Sequence, residues 1–389
     1  MTTRATPRAP RLDIDSVLAD RATDILVCCG SGGVGKTTTA AALALRAAEQ
    51  GRRVVVLTID PARRLAQSMG LSELDNSPRP VRGIDTSAGG CLDAMMLDMK
   101  RTFDEVVLTH STPDKAEQIL ANPFYQAVSS SFAGTQEYMA MEKLGQLHQE
   151  VRRNGGKSGA RWDLIVVDTP PSRSALDFLD APKRLGSFLD GRFIRLITAP
   201  AKASGRAYMR VFNTGVGMVT NVMSRVLGGD MLRDVQTFIA ALETMFGGFR
   251  QRADVTYALL SRSSTAFLVV AAPERDALRE ASYFVARLEG EGMPLAGLVL
   301  NRVQQVYASG LSAARAKAAA EERAENGDPL TAGLLSLHAD VAGTADRQRS
   351  LARRFSVGHP STPVTEVPAL AEDVHDIAAL REVGAALAG

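Results

Sequence analysis

Gly30-Ser31-Gly32-Gly33-Val34-Gly35-Lys36-Thr37-Thr38 is a glycine-rich run closed by a lysine and two threonines. Those types at that spacing suit the binding of a phosphate chain. Glycines let the backbone fold tightly and turn successive N–H groups, here those of Gly32, Gly33, Val34 and Gly35, toward an anion. A helix beginning at Lys36 would add the partial positive charge of its N-terminus. In that arrangement Lys36 reaches the β- and γ-phosphates of a nucleotide and the Thr37 hydroxyl ligates Mg²⁺. Three more polar residues close apolar runs: Asp60 after VVVLTI, Asp168 after LIVV and Asn301 after LVL. An acid behind four apolar residues is the pattern that places a Mg²⁺-holding carboxylate in such sites. The ordinary alternatives are a solvated turn for residues 30–38, a helix-capping role for Asp60 and a turn role for Asn301.

These residues need elements to hold them. ILVCC before Gly30 reads as a buried strand, and the Ala/Leu-rich stretch after Thr38 reads as a helix. Further buried strands are predicted at residues 54–59, 94–97, 163–168, 266–272, 295–300 and 363–367. Their near-continuous apolar character means that both faces are covered, as in parallel sheets. Helices are predicted at about 100–110, 113–122, 136–153, from Ser174, at 274–289 and at 373–387. Strand and helix alternate, which predicts an α/β, doubly wound, mostly parallel sheet. In such sheets ligands bind at the strand carboxyl ends, and residues 30–38, Asp60, Asp168 and Asn301 all fall at that edge.

Two segments break the alternation. Residues 206–247 carry an amphipathic helical pattern in two halves, broken at Gly228-Gly229 and bearing Met209, Met218, Met223, Met231 and Met245. They form a predicted helical insertion over about 200–250. Residues 309–356, rich in Ala, Arg and Glu, are predicted to form two helices separated near Gly327-Asp328-Pro329. Residues 1–20 are expected to be a flexible lead, and 21–389 a single domain.

Composition removes several function classes. The net charge of +2 gives no general attraction to nucleic acid, and the arginine pairs are scattered. Cys28, Cys29 and Cys91 form neither a disulfide framework nor a C-x-x-C pair, which fits a reducing, cytoplasmic setting. No apolar run of about 18 residues is present to span a membrane. Glu372, Asp373, Asp376 and Glu382 against Arg381 make the last helix unsuited to a membrane surface.

The residues resemble the ArsA-type ATPases, the anion-transporting or arsenical-pump group of deviant-Walker P-loop proteins, which also includes eukaryotic ATPases that guide tail-anchored membrane proteins. The resemblance rests on GSGGVGKTTTAAALAL, TIDPAR, VVDTPPS, PERDALRE, LVLN and VPAL in that order. It implies a Mg²⁺- and ATP-dependent dimeric switch. Within it Asp60 orients or activates the attacking water, Asp168 and Asp60 hold Mg²⁺ through water, and Thr38 contacts the α-phosphate. Asn301 would read adenine, with Pro368 and Ala369 closing over the base. The family usually carries a lysine where this chain has Ser31, and that lysine reaches across a dimer to the partner's phosphates. The resemblance therefore implies a homodimer, or a heterodimer with a lysine-bearing paralogue. A hydrophobic protein client would bind the 206–247 insertion; the ordinary alternative is that its apolar faces cover the sheet or a dimer interface. The alternatives are the energising subunit of an anion efflux system and a weakly hydrolysing scaffold partner.

Overall fold

The computed structural model describes residues 10–60, 64–128, 135–153, 161–170 and 251–389. The expected loop at 154–160, the helix from Ser174 and the 200–250 insertion lie outside the described residues. The chain divides into two compact units, Met1–Met96 with Glu150–Ala175 and Leu260–Gly389, and Leu97–Gln149 with Leu176–Leu259.

The first unit is built on an eight-stranded sheet in the order β3-β4-β2-β5-β1-β6-β7-β8. The strands are β1 (Ile25–Cys29), β2 (Arg53–Thr58), β3 (Arg79–Pro80), β4 (Cys91–Met96), β5 (Leu164–Asp168), β6 (Thr265–Ala271), β7 (Leu295–Val303) and β8 (Val364–Pro368). All pairings are parallel except β3 with β4. Every residue of β1, β5 and β6 is buried, so the sheet is covered on both faces as the uninterrupted apolar runs require. From β1 the chain runs outward to β2 and β4 on one side, and later to β6, β7 and β8 on the other. This reversal beside β1 is the switch point at which such sheets open a crevice for ligands.

Helix α2 (Lys36–Glu49) follows β1 directly and buries ten of its side chains, eight of them Ala or Leu. Alanine is the best helix former and lets the helix lie close on the sheet. The sheet unit also holds α3 (Arg64–Ser68), while α8 (Arg275–Gly290), α9 (Ala313–Glu325), α10 (Pro329–Gly358) and α11 (Ile377–Ala388) follow the later strands. Helices α9 and α10 are the pair expected over 309–356, parted at Asn326–Asp328. The second unit is helical where described, with α4 (Met99–His110), α5 (Pro113–Ala121), α6 (Pro123–Val128) and most of α7 (Thr135–Arg153).

The start of the chain differs from the expected flexible lead. Residues 10–20 are ordered. Leu12 donates its N–H to the Val364 carbonyl at 3.1 Å, and Val364 donates to Pro10 at 2.8 Å. Helix α1 (Ile14–Ala19) is capped by Asp13, which accepts from the Ser16 N–H at 3.0 Å. Leu12, Ile14 and Leu18 are buried, and burial of three aliphatic side chains offsets the entropy of ordering the segment. The two-residue β3 was not anticipated; it is too short to show a period, and its Pro80 suits an edge position.

The amino edge of the sheet is fastened by Arg52, only 2 % exposed. Its Nε donates to Asp163 Oδ1 at 2.9 Å and its Nη2 to the Asp163 and Thr23 carbonyls at 2.6 and 2.8 Å. Its Nη1 donates to the Leu18 and Asp20 carbonyls at 3.1 and 3.0 Å. One guanidinium thus ties the end of α1 to the starts of β1, β2 and β5. Arg52→Ala is expected to lose about 3–5 kcal/mol of stability, because the Leu18, Thr23 and Asp163 carbonyls lose a donor, while the Asp163 carboxylate keeps Arg21 at 3.0 Å and the Asp20 carbonyl keeps the Thr23 N–H. Arg52→Lys recovers little of this, since one ammonium cannot reproduce a planar fork of five donors. Urea denaturation of the three proteins measures both.

Candidate functional site

The glycine loop is shaped by what surrounds it. At Gly30 (φ 151°) a Cβ would run into the Val270 carbonyl on neighbouring β6. Gly35, the N-cap of α2, has φ 94°, and a Cβ there would run into the side-chain amide of Asn301. Both positions therefore require glycine, one for close approach and one for a left-handed backbone as well. Gly32 and Gly33 are exposed, Val34 is buried, and Thr37 and Thr38 are half-buried at the first turn of α2.

Lys36 is 5 % exposed and donates from Nζ to the Ser31 carbonyl at 2.7 Å. Its side chain thus folds back over the loop. Burial lowers its proton affinity below the usual lysine range, while Asp168, Cys29 and Asp60 pull it back up.

Asp168, the last residue of β5, lies level with Cys28 of β1 and Thr58 of β2. Its side chain is fully buried. Oδ2 accepts from the Thr58 hydroxyl at 2.8 Å, and Oδ1 is buried without a hydrogen-bond partner. Burial raises the carboxyl to about 6, against the downward pull of the Thr37 and Thr58 hydroxyls and Lys36; Asp60 adds a smaller upward push. Asp60, 9 % exposed, donates its backbone N–H to the Thr58 hydroxyl at 3.2 Å. The neighbouring Ile59 N–H donates to the Asp168 carbonyl at 2.9 Å. Thr58 therefore links the two acids. Sequence reasoning passed over it because a β-branched residue at a strand end reads as strand propensity. Its one signal was a hydroxyl at the end of an otherwise aliphatic run.

The donor set fits Mg²⁺. A buried carboxylate oxygen without a partner, a threonine hydroxyl and a second acid are hard oxygen ligands. Among the described residues no group of three or more His, Cys, Asp or Glu could enclose a metal ion. Magnesium needs none, because it is held by one or two carboxylates together with substrate phosphates and water. Cys28 and Cys29 are buried thiols whose protons burial holds on, Cys29 being pushed up to about 12. They pack in the sheet and are not ligands here.

On the other side of the loop, Asn301 Nδ2 donates to the Val34 carbonyl at 2.9 Å and Arg302 Nη1 to the Gly33 carbonyl at 3.0 Å. Pro368 lies level with Val303, and the Ala369 N–H donates to the Val303 carbonyl at 2.9 Å. Lys36, Thr37, Asp60 and Asp168 thus form one interacting group, and Asn301 is seated on the loop. Pro368 and Ala369 join through Val303, two residues beyond Asn301. Arg302 was not anticipated, since no sequence pattern announces it.

A family model described as anion-transporting ATPase matches residues 23–321. A protein of Aquifex aeolicus named as an arsenical pump-driving ATPase is 24 % identical over 288 residues, 72 % of this chain and 63 % of its own length. ATPase GET3 of Malassezia globosa is 24 % identical over 306 residues, 78 % of this chain and 79 % of its own. A protein of Halobacterium salinarum named as an arsenical pump-driving ATPase is 31 % identical over 205 residues, 49 % of this chain and 28 % of that relative.

Proposed function

The chain belongs to the anion-transporting ATPase family, and we propose that it is a Mg²⁺-ATP-driven dimeric switch that handles a hydrophobic protein client. The buried, partnerless Oδ1 of Asp168 beside Lys36 and Thr37 carries the Mg²⁺-ATP part of this reading. A carboxylate kept dry and short of one partner is costly unless a cation completes it.

The roles follow from position. The N–H groups of residues 32–35 and the N-terminus of α2 cradle the phosphates, and Thr38 contacts the α-phosphate. Lys36 leaves the Ser31 carbonyl and neutralises charge on the β- and γ-phosphates. Thr37 would hold Mg²⁺ directly, and Asp168 and Asp60 would hold it through water. The chemistry Mg²⁺ would supply there is neutralisation of the charge that develops on the transferred phosphoryl group. Asp60, beside Thr58, orients the attacking water. Asn301 with Pro368 and Ala369 encloses the base. Phosphoryl transfer asks mainly for such positioning and neutralisation.

The dimer and the client rest on sequence. Ser31 supplies no charge to a neighbour, so the partner is either a second copy or a paralogue bearing lysine there. The methionine-bearing pattern of 206–247 suits an adaptable apolar groove. Among the described residues no helix is long and apolar enough to cross a membrane. An efflux role, in keeping with the names of two relatives, would call for a cluster of accessible thiols for a metalloid; Cys28 and Cys29 are enclosed and Cys91 is a single half-buried thiol.

The switch is tested by measuring mass and hydrophobic-dye binding of the full chain with Mg²⁺ and either a non-hydrolysable ATP analogue or ADP. We expect dimer and dye signal to rise together in the ATP state, alone or after a lysine-bearing paralogue is added. A monomer indifferent to nucleotide under both conditions rules the switch out.

A further inference from the structure

Asn301 and Arg302 are consecutive residues near the end of β7, where side chains should point to opposite faces. Both nevertheless reach the glycine loop. Arg302 has φ 61°, and it is the one non-glycine residue with positive φ among those described. The β7–β8 register is irregular over the same step, between Leu300 and Val303. The left-handed residue cancels the alternation and brings two adjacent side chains to one side. Arginine gains nothing locally from that conformation, so what holds it is the contact it makes.

The two contacts fall on consecutive carbonyls, Gly33 and Val34. In a planar trans peptide the C=O of one residue and the N–H of the next point in opposite directions. Holding the Gly33 and Val34 carbonyls from outside therefore aims the Val34 and Gly35 N–H groups the other way, into the loop. We propose that Arg302 is a positioning residue that, with Asn301, forms a two-point clamp presetting the loop amides for a polyphosphate chain. The clamp continues into Val303, to which Pro368 and Ala369 are joined, so the loop and the 368–370 segment share one support. Setting the amides before binding removes an ordering cost that the ligand would otherwise meet. The proposal rests on residues 30–38 being the phosphate site.

The test compares wild type with Arg302→Asn and Arg302→Lys. Asparagine adopts the left-handed region readily but lacks the reach and the charge. Melting of the nucleotide-free proteins is measured beside calorimetric binding of Mg²⁺-ATP and of inorganic tripolyphosphate. For Arg302→Asn we expect a melting temperature equal to wild type or higher. Its dissociation constant should rise about tenfold for both ligands, as the loss of one charge-assisted hydrogen bond gives. Lysine should restore part of the loss. Binding within twofold of wild type overturns the proposal. So does a melting temperature that falls in step with affinity, which marks a merely structural role, or a loss confined to ATP, which places Arg302 at the base or sugar. A wild-type protein that binds no Mg²⁺-ATP overturns the site reading and the proposal together, whereas normal wild-type binding with an unaffected variant overturns the proposal alone.

Discussion

Lys36→Ala is expected to lower ATP turnover by about 10³-fold, with little change in secondary structure. The size follows from where the ammonium sits. Removing one preorganised donor from a dry phosphate or oxyanion site costs about 10²–10³ in rate, and Lys36 offers a full charge at 5 % exposure. Among the described cations Arg302 is engaged on the outward carbonyl of Gly33, and the α2 N-terminus offers only partial charge. Lys36→Arg should not rescue, because the pocket encloses the side chain closely enough for Nζ to reach Ser31 at 2.7 Å, and the broader, planar guanidinium is not a substitute for a compact ammonium. Phosphate release at saturating Mg²⁺-ATP, with single-turnover kinetics to separate binding from chemistry, measures the effect. A variant within tenfold of wild type would show that residues 30–38 are not the phosphate site.

How much of this was visible beforehand depends on the kind of information each feature carries. The interior strands were readable because a fully buried parallel strand must be apolar on both faces, and ILVCC, RVVVLT and LIVVD admit few other structures. Asp60, Asp168 and Asn301 were readable because each ends such a run at the edge where ligands bind. The order of residues 10–20 was hidden, since Pro10 and Arg11 mask a segment whose buried Leu12, Ile14 and Leu18 act only through long-range contacts with β8 and the α2 side of the sheet. Thr58 and Arg302 were hidden for a different reason. Their roles are set by register and by one dihedral angle, and neither leaves a periodic trace in residue types. Arg52 was hidden likewise: a guanidinium bonded to four carbonyls and a carboxylate looks, in sequence, like one of a pair of surface arginines.

Asp168→Asn should produce opposite effects on the empty and the working protein. Burial raises the folded-state carboxyl to about 6, against an ordinary value of 3.8. The folded state therefore holds the proton more tightly than the unfolded chain does. The stability this contributes is complete below about 4 and is lost as pH rises through about 6, so the ionised acid strains the empty fold at neutral pH. The gap corresponds to about 3 kcal/mol, an appreciable share of a typical domain's stability. Asparagine keeps an acceptor for the Thr58 hydroxyl but cannot ionise. In chelator, the variant should be more stable than wild type by up to about 3 kcal/mol at pH 7.5, and the difference should shrink toward pH 4. Titrating groups that do not interact with Asp168 are common to both proteins and cancel, which leaves Lys36 and Asp60 as the coupled groups. Adding Mg²⁺-ATP reverses the order: wild type gains stability because its buried charge acquires a counter-ion, the variant gains less, and its turnover falls about 10²-fold or more. Urea denaturation across pH 4.5–7.5, with and without Mg²⁺-ATP, reads all of these. Stability profiles that run parallel in chelator would mean that Asp168 is not strained when empty, and the strongest physical reason for placing a cation beside it would disappear.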